Sequence, residues 1–234
     1  MAPEVHTHAM LLRVIAHDLL SPLTAIKWQT ELMERPDISR EKREGYFATI
    51  RSTTELGITI TKHAHVAGSV LTNTYTGEPS MLAPSNAVDS ACASLKPQFE
   101  RHGIALVWDV GTSEEQMLDS SLTGLLMWSI AKFFLACVPM NGTVRVTAGS
   151  NIGKDDDGVS VYEVVCSSPN TIESDALVKV FTTLTPRTSL DQEYVFAFLI
   201  HEVARSLKNV SVSASMEQGS LTLRARFAPD PTTS

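Results

Sequence analysis

The chain has 234 residues, 43% of them apolar, and 19 basic against 26 acidic side chains give a formal net charge of −7. That is enough apolar material to bury real cores in two domains, and charge of both signs spread along the chain argues against nucleic acid as a partner. Cys92, Cys137 and Cys166 are scattered and odd in number, against a disulfide framework or a Cys-x-x-Cys metal site, and no N-terminal leader pattern or run approaching roughly 18 apolar residues is read, so a cytoplasmic protein without membrane contact is expected.

From about Val5 to Glu34 apolar residues recur at helical spacing, and the pattern ends at Arg35-Pro36-Asp37 because Pro36 cannot continue it. At about 100° per residue, with His17 as zero, Leu12, Ile15, Leu19, Leu23 and Ile26 fall between roughly 160° and 240°. His17 lies almost opposite that stripe, with Ser21 near 40°, Asp18 near 100° and Leu20 near 300°, all about this face or its flanks. Ser39 is read as the cap of a second helix running to about Asn73 through Tyr46, Phe47, Ile50, Leu56, Ile60 and Val70. Two long helices with a short turn form a hairpin whose stripe is half covered, so pairing with a second copy is expected. Thr74 to Pro79 reads as a linker, with Gly77 and Pro79 marking the break.

Beyond the linker the pattern is mixed. Ser85 opens a helix to about Glu100 that Gly103 ends, and Ile104 to Val110 alternates as a strand. Ser120 to Val138 is a strongly apolar helix closed by Pro139-Met140-Asn141-Gly142. Thr143 to Ala148 and Val159 to Val165 are strands joined by a polar turn at Asp155-Asp156-Asp157-Gly158, Gln192 to Leu207 is a helix, and Val210 to Ser215 with Leu221 to Phe227 form a final hairpin. The expected fold class is α+β: a helical-hairpin domain over residues 1–76, an α/β sandwich over 80–229 and a polar tail over 230–234.

The segment Ala16-His17-Asp18-Leu19-Leu20-Ser21-Pro22-Leu23-Thr24-Ala25-Ile26 resembles the phosphoacceptor box of two-component histidine kinases. It has a His, an acidic residue after it, Ser or Thr four residues on, then Pro-Leu-Thr-Ala-Ile. Most kinases of this type have Arg or Lys at the Leu20 position. The resemblance implies a homodimeric four-helix bundle with His17 on its outside. The order of the later elements also resembles the histidine-kinase ATPase domain, with Leu95-Lys96-Pro97, Arg101-His102-Gly103-Ile104 and Gly142-Thr143-Val144-Arg145-Val146 at framework positions.

That family's ATP-binding motifs are missing. The helix expected to supply a Mg²⁺-holding Asn reads Leu125-Leu126-Met127-Trp128-Ser129-Ile130-Ala131-Lys132-Phe133-Phe134-Leu135-Ala136, with no Asn or carboxylate for a hard cation. The strand expected to end in Asp-x-Gly-x-Gly reads Val164-Val165-Cys166-Ser167-Ser168-Pro169-Asn170, so Cys166 or a Ser stands where the adenine-reading carboxylate belongs. The lid region, Thr182 to Phe198, contains no Gly. A presented His without an ATP site resembles the ChpT-type histidine phosphotransferases, which relay phosphoryl groups between receiver domains. The resemblance implies His17 as nucleophile, Asp18 as the residue orienting its imidazole, and Ser21 as the group orienting the phosphoryl group or a water. Leu20, Leu23 and Thr24 would form the docking surface. The implied partners are a second copy, response-regulator receiver domains and a hybrid histidine kinase, with no cofactor bound by this chain and Mg²⁺ brought by the receiver. The competing class is a non-catalytic scaffold or inhibitor that docks a kinase or receiver; an ATP-dependent kinase ranks behind both.

Other candidates have plainer readings. His6 with His8 and His63 with His65 are spaced i, i+2, which places them on different helix faces, as surface histidines rather than metal ligands. His201-Glu202 begins like a zinc-protease helix, but Arg205 stands where the second His is needed. Asp155 to Gly158 is a solvated turn, Cys166 a small residue at a strand end, and Trp128, Phe133, Phe134 and Leu135 a core stripe that fills a vacated nucleotide pocket.

Overall fold

The computed structural model describes residues 3–151, 161–169, 174–183, 192–217 and 219–228. The chain divides into two compact units, Met1–Gly68 and Ser69–Ser234. The first is the expected hairpin, α1 (Pro3–Met33) and α2 (Arg40–Leu71). α1 stops short of Pro36, and the Lys42 backbone N–H donates to Ser39 Oγ at 3.3 Å, so Ser39 caps α2 as expected. Pro22 lies inside α1, where it removes one rung of the helical ladder.

Burial in this unit refines the expected stripe. Met10, Leu11, Val14 and Pro22 are the buried residues of α1 among those described, and they fall between roughly 20° and 140° from His17. Leu12 and Leu23, on the stripe itself, are 68% and 61% exposed. The hairpin therefore buries a face adjacent to the stripe and leaves much of the stripe open. On α2, Ile60, Val66 and Ala67 are buried while Phe47 and Ile58 are exposed.

Among the described residues two helices are long and apolar enough to cross a membrane by length and composition, each with a mean hydropathy of 1.4: His8–Met33 and Ser120–Cys137. The sequence expectation of no such stretch is corrected here. It counted uninterrupted apolar residues, whereas a mean tolerates Asp18 and Ser21 inside the run. Ser120–Cys137 is mostly buried within its own unit, the behaviour of a core helix.

The second unit contains β1 (Ser80–Leu82), α3 (Pro84–Arg101), β2 (Ala105–Val110), β3 (Gln116–Leu118), α4 (Ser120–Cys137), β4 (Thr143–Asn151), β5 (Val161–Ser168), α5 (Ser174–Thr183), α6 (Gln192–Ser206), β6 (Val210–Glu217) and β7 (Ser220–Phe227). Its main sheet runs β2-β4-β5-β7-β6, with β2 parallel to β4 and the remaining pairs antiparallel; β1 and β3 form a separate antiparallel pair. The short strands β1 and β3, and helix α5, were not expected from sequence. Val144, Val146, Val164, Cys166, Leu221, Leu223, Ala225 and Phe227 are buried on one face of the sheet, following the period-2 alternation of strands. Helix α4 is apolar nearly all round and buried nearly all round, so it is the centre of this core.

On the opposite face Glu163 is only 4% exposed. Its carboxylate accepts from Arg224 Nη1 at 3.0 Å and from Arg226 Nε at 2.8 Å. Glu163 and Arg226 are cross-strand partners between β5 and β7, so the register places the charges together.

The linker is fastened to the start of α4. Asp119 caps that helix, its Oδ1 accepting from the Leu122 N–H at 2.9 Å and from Tyr75 Oη at 2.8 Å. Burial first, and then the bond to Asp119, push the Tyr75 phenol up to about 12. A Cβ on Gly77 would overlap Asp119 Oδ2 and the Tyr75 ring, so the close approach requires glycine. Gly77→Ala is expected to disrupt the cap and lower the stability of this unit by about 1–2 kcal/mol, read as a lower urea midpoint with unchanged slope. Tyr75→Phe, which leaves the cap intact, should cost less; an equal or larger loss would contradict this ordering.

Candidate functional site

α1 presents His17 with its side chain 73% exposed, while the Asp18 side chain is largely covered. His17 Nδ1 lies 3.5 Å from Asp18 Oδ1, long for a hydrogen bond but within electrostatic reach. Adjacent helix positions do not normally face each other; here the imidazole turns its Nδ1 edge toward the carboxylate, which leaves Nε2 as the nitrogen directed away from it.

Below the imidazole runs a shallow groove of about 520 Å³ lined by His17, Leu20, Ser21, Thr24, Ala25, Trp28 and Gln29. It gathers four of the residues named from sequence, His17, Leu20, Ser21 and Thr24. Leu23 is not part of the lining and lies on another side of α1. Leu20 and Trp28 are 63% and 67% exposed, so the groove is apolar at its rims and hydroxyl-bearing near His17. Trp28 and Gln29 were missed. Eleven residues is about three helical turns, so Trp28 returns to roughly 20° from His17, and the same wheel would have shown it.

The hairpin's other titratable feature is His63 on α2, whose imidazole burial pushes down to about 4. It is neutral at pH 7. Below about pH 6.5 the unfolded chain takes up a proton that the folded hairpin refuses, so this group withdraws stability as pH falls toward 4.

In the second unit the residues at the expected nucleotide-binding positions are packed into the core. Trp128 meets Phe196 edge-to-face, with ring centroids 5.8 Å apart. Lys132 Nζ lies 5.6 Å from the Trp128 ring and 5.8 Å from the Phe196 ring, and it donates to Gln98 Oε1 at 3.2 Å. Phe133 contacts Phe134 and Phe181, with centroids 5.9 and 6.1 Å away, and Leu135 is buried beside them in α4. Burial pushes the thiols of Cys166 and Cys137 well up and that of Cys92 to about 12, so all three stay protonated and are poor nucleophiles.

The residues with plainer readings behave structurally. His201 Nε2 donates to the Phe181 carbonyl at 2.7 Å, tying α6 to α5, and Arg205 pairs with Glu202. His8 is half-buried and His65 exposed. Among the described residues no group of three or more His, Cys, Asp or Glu side chains is placed to hold a metal ion. Asp155 to Gly158, and residues 184–191 of the lid region, lie outside the described residues.

No family model and no curated protein matches the chain. Solved structures do. A bacterial phosphotransferase is similar over 96% of this chain and 97% of its own, at 16% identity and a TM-score of 0.55. The Acinetobacter baumannii histidine kinase AdeS is similar over 92% of this chain and 98% of its own, at 10% identity and a TM-score of 0.52. The catalytic domain of the histidine kinase ThkA covers 67% of this chain with 99% of its own length, at 8% identity and a TM-score of 0.54. At these identities the likeness is one of fold: the chain has a histidine-kinase-like fold, a helical hairpin followed by an ATPase-like α/β sandwich, shared over nearly its whole length with a bacterial phosphotransferase.

Proposed function

We propose that this protein is a histidine phosphotransferase of a two-component phosphorelay, carrying a phosphoryl group on His17 between receiver-domain aspartates without using ATP. The observation that carries the reading is a pairing of opposites within one chain. An exposed imidazole stands beside a carboxylate on the hairpin, while the helix that should hold Mg·ATP is packed with Trp128, Lys132 and Phe133.

The donor set does not suit a nucleotide. Mg²⁺ needs oxygen ligands in near-octahedral array, and α4 carries no carboxylate or carboxamide; beside its aromatic rings and the Lys132 ammonium it buries only two hydroxyls, that of Thr123 and that of Ser129, which donates to the Leu125 carbonyl at 2.7 Å. The relay needs no such site. Neutral His17 attacks the phosphorus of a receiver's aspartyl phosphate in line; the N–P bond forms as the P–O bond breaks, and the aspartate leaves as carboxylate. Nδ1 keeps its proton, and the positive charge that develops on the ring is stabilised by Asp18. Reversal against a second receiver completes the relay. Ser21, one turn along the groove, orients the phosphoryl oxygens or a water. Mg²⁺ arrives with the receiver, which docks over Leu20 and Thr24 of this groove, whereas Leu23, on another side of α1, belongs to the stripe. The exposed stripe at Leu12 and Leu23 supports a homodimer closed as a four-helix bundle.

A second reading, a scaffold that docks receivers without carrying phosphate, is favoured by one observation, the apolar Leu20 where most kinases with this phosphoacceptor motif have Arg or Lys. The two separate when the protein is offered phosphoryl groups from two sources. With radiolabelled ATP and Mg²⁺ no label and no nucleotide binding are expected; with phosphorylated receivers, acid-labile label on wild type and none on His17→Ala. ATP labelling that depends on His17 would make it a kinase, and no labelling from any phosphorylated receiver, with binding retained, would make it a scaffold.

A further inference from the structure

We infer that Arg13 is the phosphoryl-binding cation of this site, taking over the charge that Leu20 does not supply; the inference rests on the phosphotransfer reading above. A phosphoryl group on His17 brings a double negative charge to a groove lined by Leu20, Ser21, Thr24, Ala25, Trp28 and Gln29, all uncharged, with the Asp18 carboxylate beside it. In-line transfer spreads charge over three equatorial oxygens, and fixed positive groups aimed at those oxygens supply much of the catalysis. The groove itself has none.

Arg13 is the only Lys or Arg before Lys27. Lys27 is committed to Glu31, 3.8 Å away, and projects about 80° from His17. Arg13 is exposed and, among the described residues, makes no ion pair or hydrogen bond. It sits four residues before His17, roughly 40° around the helix and about 6 Å along the axis. Helical side chains tilt toward the N-terminus, so the His17 ring leans over the turn that carries Arg13 rather than away from it. The guanidinium fork matches two phosphoryl oxygens at once and stays charged at every working pH. In this arrangement Arg13 meets the phosphoryl group from the N-terminal side of His17 and Ser21 meets it from the C-terminal side.

The test uses the full chain with phosphoramidate as donor: the N–P bond to His17 forms, the donor's P–N bond breaks, and ammonia leaves. Phosphohistidine is followed by ³¹P NMR on wild type, Arg13→Ala, Arg13→Lys, and Arg13→Ala combined with Leu20→Arg. Arg13→Ala is expected to slow phosphohistidine formation about tenfold with unchanged helicity and melting, Arg13→Lys to recover part of the rate, and Leu20→Arg to restore it from the other side. A wild-type rate in Arg13→Ala, beside an inert His17→Ala, removes Arg13 and leaves the relay standing. Failure of both Lys and the relocated Arg to restore the rate also overturns it, since the loss would then not be one of charge. Wild type that takes no phosphoryl group on His17 from phosphoramidate or from phosphorylated receivers removes the phosphotransfer reading and this inference together.

Discussion

His17→Gln is expected to abolish phosphoryl acceptance, a fall on the order of a thousandfold or more, because it removes the proposed nucleophile. The side chain is 73% exposed and Gln is a good helix former, so stability should stay within about 0.5 kcal/mol of wild type. Neighbouring substitutions should grade away from this extreme. Asp18→Asn keeps the shape but loses the charge that orients and stabilises the imidazole, so a drop of about 10²-fold is expected, less than for His17. Ser21→Ala should change the lifetime of the phosphohistidine more than the rate at which it forms. Labelling that survives in His17→Gln would place the acceptor elsewhere and contradict the site.

The largest structural effect is expected from Trp128→Ala. Trp128 is buried against Phe196 and Lys132, and truncating a buried aromatic to Ala removes about 3–5 kcal/mol. For a unit of this size that lowers the melting temperature by roughly 10 °C. The second half of this prediction concerns nucleotide. Emptying the space should not create affinity for Mg·ATP, because α4 carries no carboxylate or carboxamide oxygen to hold a hard cation. A calorimetric titration of the folded variant checks this directly. Gain of Mg·ATP binding would mean that the site is only plugged, and the ATP-independent account would lose its main support.

Much of this was legible in the sequence because it is local. Helical spacing gave α1 and α2 to within a few residues, Ser39 announced its cap, and alternation marked β2. The apolar run in α4 announced a buried helix. What escaped has physical reasons. β1 and β3 are three residues each, too short for a period of two to register. α5 lies almost wholly before the lid region, in the stretch between Asn170 and Thr182, to which no element was assigned. The burial of Glu163 under Arg224 and Arg226 depends on cross-strand register, which no local window contains. At the site, the stripe was identified, but the face of α1 that is buried within the hairpin, at Met10, Leu11 and Val14, lies beside it. Trp28 lies one turn beyond Thr24, past Ile26 where the recognisable motif ends.

The central claim is that phosphoryl groups reach His17 from an aspartyl phosphate and not from ATP. The most direct measurement mixes the full chain with a ³²P-phosphorylated receiver in nucleotide-free buffer containing Mg²⁺, then adds an excess of a second, unlabelled receiver. The account requires label to appear on this protein in acid-labile, base-stable form, to be absent in His17→Gln, and to pass on to the second receiver. Label that remains on the first receiver while the two proteins bind each other would contradict it.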